Sequence, residues 1–403
     1  MRLTADERWN LIDEISKETV SLGEYNETLR DVLGEVTVKP LTGIPVVIAV
    51  LYAFWSVFGS FAGFFTDGFF VKIFDKHWLP WWQSHFPDTW SWLYYIVVGD
   101  PMADNCFEAF GMLTSGLFVA IGVVLPAVFI FYLMLTLLED VGYLPRLAVL
   151  MDTVLHKIGL HGYAIVPTIL SLGCNVPGVA ATRILETRKE RFVMMTLLAI
   201  FVPCGAQLGI MNDVIPDTMG LVLLYLIAGY LTTGFILNKI IPGKSPEILM
   251  DVPPFQKPLL SNLALKIWMR MKGFFTDAIP YVLLGVLVVN VLYLAGFIQW
   301  LGSALSPVFV YWFGVPEETA GPLIAAFLRK DLAVAQLSVI EMTWYQMVTA
   351  VVLVSIYFPC LATFMMLLKE GRKELLGSLV VLIAVVTIFG GLLHLIGILA
   401  GVA

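Results

Sequence analysis

The chain has 403 residues, 59% of them hydrophobic and only 14% charged, with a net charge of −7 and a mean hydropathy of +0.86. Soluble domains carry roughly 25% charged residues, so this composition excludes an ordinary soluble enzyme, and acidity dispersed over short loops argues against a nucleic-acid partner. Apolar stretches at 117–138, 221–241 and 375–400 reach the ~20 residues that cross a bilayer, which predicts an all-α polytopic membrane protein with about seven to nine spans.

Residues 1–39 open with a polar, acidic segment lacking the charged and apolar regions of a cleavable signal. Leu22, Tyr25, Leu29, Val32 and Val36 share one helical face. The segment reads as a cytoplasmic helical arm that lies on its own membrane domain or docks a soluble partner.

The first membrane half is assigned to residues 40–241. A span at 41–64 leads into 65–110, where Trp78, Trp81, Trp82, Trp90 and Trp92 accompany Asp67, Asp75, Asp88, Asp100, Asp104 and Glu108. That mixture predicts short helices in the membrane–water interface. A span at 115–138 ends at Glu139-Asp140, an amphipathic piece covers 145–158, and a Pro- and Gly-broken segment follows at 163–182. Spans at 192–212 and 218–240 complete the half, and 163–212 forms the first gate.

Residues 242–272 read as a cytoplasmic linker and an amphipathic helix bearing Lys266, Arg270 and Lys272. The second half, 273–403, contains a span at 275–297, an interfacial stretch at 298–318, a second broken segment at 319–340, and spans at 344–368 and 375–401. Its gate covers 319–368. The basic stretches 183–191, 239–272 and 369–373 belong in the cytoplasm by the positive-inside rule. The two broken segments then enter the membrane from opposite faces, as an inverted-repeat carrier requires.

The chemistry concentrates at these breaks. In lipid an open backbone group costs several kcal/mol, so an interrupted helix persists only beside protein or a watered cavity. Cys174 and Asn175 sit in Gly173-Cys174-Asn175-Val176-Pro177-Gly178, while Cys204 and Cys360 follow Pro203 and Pro359. Each proline removes an amide donor and frees a carbonyl one turn earlier. Sulfur with carbonyl and amide oxygens suits a borderline divalent first-row ion better than Na⁺, Mg²⁺ or Ca²⁺. Weighed against that, a single buried cysteine is a small hydrophobe, and that reading is kept for Cys106.

Lys330 and Asp331 carry charge into the second broken segment, where Asp331 either pairs locally or faces the solute path. Glu139 and Asp140 are candidate gate acids at a span end. The histidines are uninformative: His77 and His85 are interfacial, His156 and His161 lie on the cytoplasmic side, and His394 stands alone on an apolar helix. Gly243-Lys244-Ser245 imitates the end of a phosphate-binding loop, but position 238 is Asn where that loop needs Gly. The chain is therefore read as a transporter without its own nucleotide hydrolysis, not an enzyme.

At these residues the chain resembles the membrane (gate) domain of FeoB-type ferrous iron transporters. The resemblance rests on Leu138-Glu139-Asp140-Val141-Gly142-Tyr143, Arg146, Asp152, Lys157-Ile158-Gly159-Leu160 and Gly173-Cys174-Asn175-Val176-Pro177 with Ala181-Thr182-Arg183. It continues through Cys204-Gly205-Ala206, Pro253-Pro254-Phe255 and Tyr357-Phe358-Pro359-Cys360-Leu361-Ala362-Thr363, and covers nearly the whole chain. It implies gates like the hairpins of concentrative nucleoside carriers. The implied cargo is Fe²⁺, with Mn²⁺ next, contacting Cys174, Asn175, Cys204 and Cys360; no permanently bound cofactor is implied. Pro177, Gly205, Gln207, Lys330, Asp331, Pro359 and Thr363 fall on the implied path.

The chain departs from the family pattern at Gln207-Leu208-Gly209 and at Lys330-Asp331, where the family carries Arg-Leu-Pro and Lys-Glu. The resemblance does not include the family's N-terminal GTPase, so either this sequence is cut from a longer chain or, as expected here, a separate GTPase docks on residues 1–39 and the basic loops. The expected location is the cytoplasmic membrane, with the N-terminus in the cytoplasm and a second copy of the chain as a further candidate partner. Two other readings stand beside this one: an organic solute carrier of the nucleoside type, and a non-transporting membrane sensor or assembly subunit.

Overall fold

The computed structural model describes residues 29–86, 91–99, 101, 105–106, 109, 111–243, 254–273, 275–276, 279–327 and 330–401, with residues 12, 14–16 and 19. Most of the 1–28 arm, including Leu22 and Tyr25, lies outside the described residues, as do Asp88, Trp90, Asp100, Asp104, Glu108, Lys244, Ser245, Pro253 and Arg329.

Six helices are long and apolar enough to cross a membrane among the described residues. Helix α1 (Leu29–Val38) precedes α2 (Pro40–His85), which is 46 residues long. Proline opens α2, where a missing amide costs no helical bond. The expected break near residue 64 does not occur. Two π-helical stretches, Thr66–Phe70 and Phe74–Trp78, carry the helix onward. At roughly 1.5 Å per residue α2 is about 70 Å long, more than twice a hydrocarbon core of ~30 Å. The tryptophans at 78, 81 and 82 thus belong to one continuous helix rather than to separate interfacial pieces.

After α3 (Ser91–Val97), α4 (Met112–Val141) crosses as a 30-residue helix. It stops at Gly142, whose φ of +84° is left-handed backbone that favours glycine. The same residue starts α5 (Tyr143–Lys157). Here the buried Arg146 guanidinium lies 3.7 Å from the Phe255 ring centroid and donates to the Gly142 carbonyl at 2.8 Å. The linker is thereby pinned to the α4–α5 turn.

The gates follow one plan twice. Helices α6 (Gly162–Gly173) and α7 (Asn175–Ala181) pack against each other as a hairpin broken at Cys174. Helix α8 (Arg188–Phe201) has 14 residues, and after Val202-Pro203-Cys204 the 10-residue α9 (Gly205–Val214) continues the span. Helix α10 (Met219–Ile240) returns across, and the amphipathic α11 (Leu260–Gly273) packs on α4.

In the second half α12 (Ile279–Leu294) and α13 (Phe297–Phe313) are apolar helices of 16 and 17 residues. The stretch expected to be interfacial is largely this single helix α13, with Pro307 inside it. A second hairpin of α14 (Ala320–Ala325) and α15 (Lys330–Leu337) comes next. Helix α16 (Trp344–Tyr357) again has 14 residues, breaks at Phe358-Pro359-Cys360 and continues as the 10-residue α17 (Leu361–Glu370). Helix α18 (Arg372–Ala400) closes the described chain.

Both broken spans start from a capping box, Thr187 with Glu190 and Thr343 with Gln346, which satisfies open amides at the helix start. Thr187 to Cys204 and Thr343 to Cys360 are each 17 residues apart. The repeats interlock: α7 packs on α17, α9 on α15 and α8 on α16. Leu197, Leu198 and Met194 of α8 and Val348, Val351 and Val354 of α16 are fully buried in one shared core. Lipid tails are as apolar as these side chains, so close packing holds the centre together rather than escape from water. Buried polar bonds add to it, including Thr196 Oγ1 to Ser378 Oγ at 2.7 Å.

Candidate functional site

All four helix breaks face one cavity. A space of about 1480 Å³ is lined by Cys174, Asn175, Pro177, Cys204, Lys330, Asp331 and Cys360. Two of its cysteines come from the first repeat and one from the second. Asn175 starts α7 and is buried. Its Nδ2 donates to the Val202 carbonyl at 3.1 Å, and its Oδ1 is buried without a partner. The hairpin break is thereby tied to the break in α8–α9.

The second repeat ties its break differently. Pro359 has no amide to offer the carbonyl four residues back, that of Ser355. The buried Lys330 ammonium takes that carbonyl at 2.6 Å. Ser355 Oγ accepts from Gln207 Nε2 of the opposite repeat at 2.8 Å, and Gln207 Oε1 is buried without a partner. Cys360 Sγ lies 3.0 Å from Thr363 Oγ1. The Leu361 amide donates to the Phe327 carbonyl at 2.8 Å, joining α17 to the second hairpin.

The cavity's wall changes along its length. Glu317 and Glu318, before the second hairpin, line it, as do Arg183 and Lys369 from the far ends of α7 and α17. Arg183 donates to Glu370 through Nε at 2.8 Å and lies 2.7 Å away through Nη2, bridging the repeats. This pairing sets the flanks of the first hairpin beside the end of α17, opposite the flanks of the second hairpin where α16 starts. The two hairpins are therefore oppositely oriented.

Glu139 and Asp140 are placed away from the cavity lining. Lys266 Nζ reaches Asp140 Oδ1 at 2.5 Å and Glu139 Oε1 at 3.3 Å, and Arg270 Nη2 reaches Glu139 Oε2 at 2.7 Å. The Asp140 hydrogen bond holds the Lys266 amine above its ordinary value, against a partial loss from burial. Arg270 also donates to Thr136 Oγ1 at 2.7 Å and lines the cavity, so the acids touch the path through it. Thr363, Gly205, Gln207 and Pro359 stand behind the lining, one layer from the cavity. Cys106 is fully buried elsewhere, where burial and then Asp75 push its thiol up.

Among the described residues, no three of His, Cys, Asp and Glu are arranged to hold one metal ion together. Cys174, Cys204 and Cys360 are soft donors that line one cavity, each at a helix break. Sequence reasoning missed Ser355, which looks like any apolar-helix serine until the opposing repeat is folded onto it. Tyr132, Arg270 and the Glu317-Glu318 pair were missed as lining for the same reason.

Two family models match the chain. The Gate model, described as nucleoside recognition, covers 121–215 and 275–374. The model for the ferrous iron transport protein B C terminus covers 219–270 between them. The chain is 26% identical to the Fe(2+) transporter FeoB of Staphylococcus aureus (strain MSSA476) over 316 residues, 69% of this chain and 47% of that protein. It is 30% identical to the Fe(2+) transporter FeoB of Salmonella typhimurium over 258 residues, 60% of this chain and 31% of the relative. A Fe(2+) transport protein A/Fe(2+) transporter FeoB fusion protein of Porphyromonas gingivalis is 25% identical over 300 residues, 71% of this chain and 33% of the fusion. This chain thus spans less than half the length of these relatives. No solved structure matches it. The chain thus carries a Gate region in two parts around a FeoB C-terminal region, and across both it is similar to the membrane part of FeoB-type transporters.

Proposed function

We propose that this multi-pass membrane protein carries a divalent transition metal, Fe²⁺ first and Mn²⁺ next, across the cytoplasmic membrane with its N-terminus in the cytoplasm. The observation that carries the reading is the meeting of Cys174, Cys204 and Cys360, each at a helix break, on one cavity. Sulfur and freed carbonyls suit such an ion, and the relatives' printed names support iron. The ion is cargo, handed between single donors while the two hairpins alternate in their opening. A GTPase acting through residues 1–39 and the basic loops would bias those hairpins, because a regulator shifts an equilibrium only by binding its states unequally. Deleting residues 1–36 is then expected to abolish GTP-stimulated uptake, and undiminished stimulation would sink the docking idea.

The test is anaerobic uptake of Fe²⁺ and Mn²⁺ into proteoliposomes, with the Cys174→Ser/Cys204→Ser/Cys360→Ser variant alongside. Loss of at least tenfold in the variant is expected, and unimpaired uptake would remove sulfur from the path. A second reading draws on the cavity's size: about 1480 Å³ exceeds what a bare ion needs and leaves room for a small organic molecule. Nucleoside uptake insensitive to the cysteine changes would favour that organic-solute reading.

A further inference from the structure

Lys330 is a charge where the fold needs only a hydrogen bond. Its side chain is buried, lines the cavity beside the three cysteines, and donates to the carbonyl that Pro359 leaves open. A shift of 156 residues brings Thr187 onto Thr343 and Cys204 onto Cys360; the same shift brings Cys174 onto Lys330 and Asn175 onto Asp331. In the first repeat a neutral amide does the tying, from Asn175 to the Val202 carbonyl. Burying an ammonium is far costlier than burying an amide. That amide reaches the carbonyl just before Pro203 rather than the one four residues before it, and Cys174 stands where Lys330 does, so only the second repeat places a charge at this position.

We propose that Lys330 is a tethered cation that occupies the second repeat's carbonyl position and confines a transported divalent cation to the side of Cys174 and Asn175. The inference rests on the cation-transport reading above. On that side the buried Asn175 Oδ1 has no hydrogen-bond partner, and Cys174 and Asn175 both line the cavity. A fixed positive charge in the same weakly screened cavity raises the energy of a bound dication. It thereby keeps binding loose enough for release, which conduction requires. Helix α15 packs against α9, α14 and α16. Among the described residues, the charged or titratable groups at this position are Asp331 on α15 itself, Cys204 at the start of α9, Tyr357 at the end of α16 and Cys360 just beyond it.

The experiment is equilibrium binding of Mn²⁺ to the purified protein, read by electron paramagnetic resonance of the free ion. Wild type is compared with Lys330→Gln, Lys330→Met and Lys330→Arg. Gln keeps a neutral donor for the Ser355 carbonyl and removes only the charge; Met keeps the apolar stem if Gln does not yield folded protein. At least tenfold tighter binding, or an added second ion, is expected in the neutral variants, with Arg staying within about threefold of wild type. Equal affinity and stoichiometry in wild type and the neutral variants would overturn the proposal while leaving metal transport standing. Tightening in the Arg variant as well would overturn it, because charge would not be the cause. Absence of Mn²⁺ binding in every form would defeat the cation-transport reading itself and the proposal with it.

Discussion

Gly178 packs the second arm of the first hairpin against its first arm, and replacing it with alanine tests that packing directly. A Cβ at Gly178 would overlap Ser171 Oγ and come to 2.9 Å from both Ser171 Cβ and the Ser171 amide nitrogen. The hydroxyl can rotate away, but the backbone nitrogen cannot, so α6 and α7 must separate by several tenths of an ångström. Overpacking of this kind costs about 1–3 kcal/mol, and the better helix propensity of alanine returns up to ~1 kcal/mol. A net loss of about 1–2 kcal/mol is expected. Thermal unfolding of the purified protein in detergent, followed by tryptophan fluorescence, reads it as a lowered midpoint. Gly209→Ala on α9 is the control, since a Cβ there meets nothing within 4 Å; its midpoint should hold or rise. Adding Ser171→Gly to Gly178→Ala should recover part of the loss by removing the obstructing Cβ and hydroxyl. A Gly178→Ala midpoint equal to that of Gly209→Ala would refute the close hairpin.

Other outcomes follow from single contacts. Thr187→Ala and Thr343→Ala each remove a capping box and should cost roughly 1 kcal/mol apiece, measurable as similar midpoint shifts in the two halves. Gln207→Leu breaks the cross-repeat bond to Ser355 and should cost about 1 kcal/mol; an unchanged midpoint would mean that the repeats do not depend on it. Lys266→Met should lower the midpoint by less than the equivalent of ~1 kcal/mol, and less still in high salt, because the pair is partly exposed. The Lys266 amine is raised above its ordinary value of 10.5 by Asp140. Its contribution is complete below that value and fades only as pH climbs through the higher folded value. The wild-type to Lys266→Met difference should therefore stay flat from pH 6 to 9 and shrink in stronger base, and a difference that instead vanished on acidification to pH 6 would contradict the sign.

Charge-poor apolar runs fixed the class, because a bilayer admits such stretches only as helices that satisfy their own backbone. The breaks at Cys174, Cys204 and Cys360 were readable for a local reason as well: each sits beside Pro or Gly, which weaken a helix through the chain's own backbone. Where local signals were weak, the expectation failed. Gly68 and Pro80 lie between Phe65 and His85 without ending the helix, and tryptophan content alone did not reveal that α2 runs on through two π-helical stretches. The ion-pair partners of Glu139 and Asp140 had no local signal either, because α11 brings Lys266 and Arg270 onto them from more than a hundred residues away.

The site itself was decided by tertiary structure. Sequence offered three cysteines, a Lys-Asp pair and two prolines, all as properties of single segments. Only the interlocking of α9 with α15 and of α7 with α17 puts the cysteines and the Lys-Asp pair on one cavity. The same interlocking turns Gln207 toward Ser355 and Lys330 toward a carbonyl freed by Pro359. A break's existence depends on which residues are adjacent in the chain, whereas its partner depends on which helix packs across from it, and no local pattern encodes the second.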